Sequence, residues 1–67
     1  NHLSLAKIYS LANNRKMALD FFRRAAGSLG ARLVEASWDP SFDNIRQTPE
    51  FQELVREAKQ KSKGTAP

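Results

Sequence analysis

The sequence predicts an all-α protein: an antiparallel helical hairpin, then a short helix and a C-terminal capping helix, together an α-solenoid fragment. Three observations predict it. Apolar residues recur at threes and fours in separate runs, an Asp-Pro and a Thr-Pro pair stand where later helices should start, and asparagine or glycine separates the runs. A chain of 67 residues forms one small domain, and a core of that size supplies roughly 3–5 kcal/mol of net stability. Neither a disulfide nor a His-carboxylate metal cluster is available to reinforce it, since the chain has no cysteine and one histidine. Packing against a neighbour is the remaining source of support.

Leu3, Leu5, Ala6, Ile8, Tyr9, Leu11 and Ala12 form a broad stripe that predicts the first helix. Asn13 and Asn14 should turn the chain, because asparagine tolerates left-handed backbone and its side chain bonds nearby amides. Met17, Ala18, Phe21, Phe22, Ala25 and Ala26 predict a second helix with both phenylalanines inward and Arg15, Lys16, Arg23 and Arg24 largely on the far side. So short a connection makes residues 2–26 a hairpin, which Gly27 to Gly30 should end.

Residues 31–37 read as a short helix, with Leu33, Val34 and Ala36 apolar, that delivers Trp38 to the core, the alternative being that Trp38 is an exposed binding anchor. Asp39-Pro40 starts one or two turns over 40–46, with aspartate accepting from free amides and proline suited to the first helical position. Thr48-Pro49 repeats the device for a last helix over about 49–61, with Phe51, Leu54, Val55 and Ala58 inward. Glu50 and Glu53 sit near its N-terminus and Arg56, Lys59 and Lys61 near its C-terminus, as the helix dipole favours. Residues 62–67 lack apolar periodicity and are expected to be a disordered tail, which leaves residues 1–61 as the helical domain.

The net charge of +4 is segregated: residues 1–32 hold six basic groups against Asp20, residues 33–57 six acidic against two basic, and the end three lysines. The acidic middle disfavours nucleic acid as a partner, and Lys7, Arg15, Lys16, Arg23 and Arg24 read first as a solvated face. No apolar run approaches the length of a membrane span. The absence of cysteine leans toward a reducing, cytoplasmic setting and leaves localisation open. The first residue is Asn1 and the helical pattern is running by Leu3, so the sequence reads as part of a longer polypeptide.

Catalytic chemistry finds little to work with. His2 has no triad-like company, and Gly27 and Gly30 are spaced as G-x-x-G without a preceding strand or a following lysine. Asp39 and Asp43 are better explained by capping than by metal binding. The reading is not an enzyme, with no catalytic, cofactor-binding or metal residue. Arg46 reads as a clamp on Asp43 or on the carbonyls that end the short helix, ahead of the alternative of a partner contact.

Leu5, Ala6 and Tyr9, followed by Ala18, Phe22 and Ala25, resemble the tetratricopeptide repeat, whose units of about thirty-four residues are helical hairpins. The resemblance covers residues 2–30. It implies that Ala6 and Ala18 let the helices approach while Tyr9 and Phe22 fill the wedge toward the next hairpin. His2, Asn13 and Gly30 depart from the family, which favours an aromatic, a glycine and a proline there. One period on from Leu5 and Tyr9 stand Asp39 and Asp43, so no second regular repeat follows. Asp39 to Arg46 with Thr48 to Phe51 resembles a segment that closes repeat tracts in bacterial multidomain signalling proteins. The resemblance implies a C-terminal interaction or scaffold module whose partner is a protein, either neighbouring repeats or a peptide ligand. It nominates Asn1, Ser4, Lys7, Ile8 and Leu11 as the partner-binding face. The alternative is self-association into a homo-oligomer, and a weak nucleic-acid-binding basic helix ranks below both.

Overall fold

Asn1 opens the first helix by accepting from the amides of Leu3 and Ser4 at 2.9 and 3.3 Å, which satisfies donors that a helix start leaves free. The computed structural model describes residues 1–64, with side chains through Lys61. The described residues are all-α and contain no strand. They form α1 (His2–Leu11), α2 (Arg15–Leu29), a 3₁₀ turn (Gly30–Arg32), α3 (Leu33–Ala36), a second 3₁₀ turn (Pro40–Phe42) and α4 (Pro49–Gly64). No described helix is long and apolar enough to cross a membrane.

The asparagines divide their work between α1 and α2. Asn13 takes the left-handed conformation at φ 61°, and Asn14 caps α2 by accepting from the Met17 amide at 3.3 Å. Gly27, expected to help end α2, lies inside it instead, and the helix runs on to Leu29. The stop falls at Gly30, whose φ of 57° and ψ of −128° belong to a region open to glycine and strained for other residues.

Ala6, Ala18, Leu19, Phe22, Leu33, Phe42, Ile45, Phe51 and Ala58 make the core. Its centre is aromatic: Phe22 stacks on Phe51 with centroids 4.5 Å apart and meets Phe42 edge-on at 5.0 Å. Each such ring contributes about 1.5–3 kcal/mol on burial, with a further ~0.5–1.5 kcal/mol for pair geometry. Phe21 packs against the edge of this core and is only partly buried. Neighbouring helical positions point about 100° apart, so with Phe22 at the centre Phe21 stays half-buried and stacks on Tyr9 at 5.6 Å. Tyr9 is half-buried and packs against the core whose centre is Phe22.

Trp38 is also displaced from its expected place. It is 69% exposed, because the core volume it was expected to fill is held by Phe42 and Phe51 against Phe22. Ser37 turns inward in its stead, donating through Oγ to the Val34 carbonyl at 2.6 Å. The Thr48 cap of α4 is present, its hydroxyl accepting from the Phe51 amide at 3.3 Å. α4 continues through Gly64, beyond the expected end near Lys61, so 62–64 of the expected tail belong to its backbone. Residues 65–67, the rest of that tail, lie outside the described residues.

Candidate functional site

The nominated face of α1 divides in two. Residues 1, 4, 8 and 11 recur at helical spacing on the outer side, where Ser4 is exposed, Ile8 is 59% exposed and Leu11 is 66% exposed. Asn1 is exposed as well, with its carbonyl oxygen committed to the helix cap. Lys7 turns from this row toward the closing turns and pairs with Asp39 at 3.0 Å. Leu5 neighbours Ile8 and Tyr9 at three and four residues, so Leu11, Ile8, Leu5 and Tyr9 form a continuous apolar band that ends on Phe21 of α2. His2 and Arg24 border it, with His2 6.0 Å from the Phe21 ring by centroids and the Arg24 guanidinium 5.7 Å above it. The remaining residues of the family pattern, Ala6, Ala18, Phe22 and Ala25, are buried.

A polar seam fastens the inner side of α1 to the closing turns. The Asp39 carboxylate accepts from the Ser41 amide at 2.9 Å, which caps the second 3₁₀ turn. That amide first, and then the Lys7 ammonium, hold its pKa down to about 2 from the ordinary 3.8. The Ser10 hydroxyl donates to the Ser41 carbonyl, and the Asn44 amide donates to the Ser10 carbonyl at 2.7 Å. Ser10 and Asn44 were missed by the sequence reading. The available signal was a serine four residues after Ala6, a polar group on the inward stripe of α1, where burial demands a partner.

Arg46 does both things expected of it. Its Nε donates to Asp43 at 3.1 Å, and Nη1 and Nη2 donate to the carbonyls of Ser37 and Asp39 at 2.7 and 3.0 Å. The guanidinium also lies 5.7 Å above the Phe51 ring. It ties the end of α3 to the turns before α4.

Between Trp38 and α4 runs an open groove of about 340 Å³. Trp38 forms one wall, Phe51 and Val55 the apolar part, and Arg46, Arg56 and Lys59 its charged groups, with Gln47 and Gln52 beside them. No carboxylate lines it, although Glu53 just outside is paired with Arg56. The chemistry of both surfaces is that of contact: apolar area on α1, and an aromatic wall with cations at the groove. Compared with family models, curated proteins and solved structures, the chain matches none of them.

Proposed function

We propose that the chain is a protein-interaction module, the terminal tetratricopeptide-like segment of a larger and bacterial multidomain protein, which binds and braces other protein surfaces. The observation that carries this reading is the apolar band in which Leu11 and Ile8 are exposed and Leu5, Tyr9 and Phe21 are half-buried. On a chain with so small a core, contiguous apolar area that folding leaves accessible adds stability only when another surface covers it, and such patches mark contact sites. In this reading α1 and α2 form the repeat hairpin, the band meets the preceding unit or a ligand, and α3 with α4 shields the opposite side as a terminal unit must. The nucleic-acid alternative is weakened because Asp20 and Asp39 stand 3.0–3.3 Å from Arg23, Arg24 and Lys7 and offset the positive field that would draw a polyanion.

Self-association is the second reading, favoured by the flat Tyr9–Phe21 stack, which a second copy can cover with the same patch across a two-fold axis. Light scattering coupled to size exclusion, from micromolar to millimolar chain, tests the shared premise. The expected result is mass that rises with concentration and returns to one chain in Tyr9→Asp or Phe21→Asp, with cooperative melting kept. A chain monomeric throughout that also fails to bind a hydrophobic-surface dye would overturn the reading.

A further inference from the structure

The groove beside Trp38 lies away from the α1 band, and its composition selects a partner. A tryptophan 69% exposed, in a chain that buries its other large aromatics at least in part, leaves a large apolar area open to a partner. Tryptophan and arginine are also the side chains that most often dominate binding energy where two proteins meet. Arg46 is held from three directions and therefore rigid. A guanidinium has five N–H donors, and its bonds to Asp43, Ser37 and Asp39 engage each of its three nitrogens once. Two N–H groups are thus left over in a side chain 34% exposed, so this cation is presented without the entropy cost of ordering it.

Arg56 faces Glu53 across a pair in which both side chains are more than half exposed, and such pairs exchange readily for another carboxylate. Lys59, one helical turn from Val55, brings a third cation to the same groove.

We propose that this groove binds an acidic peptide segment, with an aliphatic or aromatic side chain of the peptide against Trp38 and Val55 and its carboxylates on Arg46, Arg56 and Lys59. The assignment rests on the reading of the chain as an interaction module and gives that module a second, chemically distinct face. Charge complementarity chooses the occupant. The lining is cationic without a carboxylate, which repels a basic peptide, and its apolar wall of Trp38, Phe51 and Val55 suits a side chain of a short acidic peptide.

Trp38 is the single tryptophan of the chain, so its emission reports this groove alone. The test is a fluorescence titration with a short blocked peptide of glutamates flanking two leucines, free of tryptophan and tyrosine. Controls are the same peptide with lysine for glutamate, and oligothymidylate. The expected result is a saturable blue shift with the acidic peptide that weakens as salt rises. Arg56→Gln with Lys59→Gln should lower affinity by roughly tenfold with an unchanged melt, since both side chains are exposed. Phe21→Asp should abolish self-association and leave the titration intact, which separates failure of the groove from failure of the α1 band. No shift with the acidic peptide, an equal shift with the lysine peptide, or tighter binding of oligothymidylate would each overturn the proposal.

Discussion

Arg46 gathers a carboxylate and two main-chain carbonyls from three points of the chain, Asp43, Ser37 and Asp39, and so sets how the turns before α4 close. A lysine cannot reproduce that planar fork. Arg46→Ala should lower unfolding free energy in urea by about 2–3 kcal/mol, with Arg46→Lys recovering less than half, because charge-assisted bonds are among the stronger ones and the guanidinium makes three at once. Asp39 makes a prediction in pH. Its folded pKa of about 2 lies below the ordinary 3.8, so the carboxylate contributes stability above that ordinary value and loses it as pH falls through the folded one. Thermal melts of the native chain and Asp39→Asn should therefore differ most above about pH 4 and converge toward pH 2. Both roles were legible from Asp-Pro and from the three-residue step back from Arg46 to Asp43, because caps and near-neighbour pairs are local. Ser10 and Asn44 were not, since their bonds join residues more than thirty apart.

At the scale of elements, the two glycines at the end of α2 separate what spacing reveals from what it does not. Gly27 and Gly30 look alike in sequence, yet Gly27 is helical and exposed with nothing within 4 Å of an added Cβ, while Gly30 sits at φ +57°. Gly27→Ala should therefore raise stability by about 0.5–1 kcal/mol. Gly30→Ala should lower it by about 1–3 kcal/mol, both read from denaturant midpoints at constant m value. The Asn13-Asn14 turn and the Thr48 cap were readable for the same local reason as Asp39. Which ring reaches the centre was not: Trp38, Phe42 and Phe51 compete for one volume beside Phe22, and helical periodicity ranks none of them above the others.

At the scale of the whole molecule, one side of the α1/α2 pair is closed and the other is not. Phe22 anchors the closed side against Phe42 and Phe51, and Lys7, Ser10 and Arg46 hold the closing turns by polar bonds that leave their acceptors satisfied. The other side carries exposed Ile8 and Leu11 beside half-buried Leu5, Tyr9 and Phe21. The sequence made that stripe visible as apolar periodicity around most of α1, but not its division, because the pattern alone does not say which part of a broad stripe the closing turns will cover. The apolar band as a contact surface is the central claim, and a dilution series followed by backbone amide and methyl chemical shifts tests it most directly. Concentration-dependent shifts should concentrate at Leu5, Ile8, Tyr9, Leu11 and Phe21 and spare Leu33, Phe42 and Ile45. Shifts confined to α4, or none at any concentration in a chain whose band binds no hydrophobic dye, would contradict it.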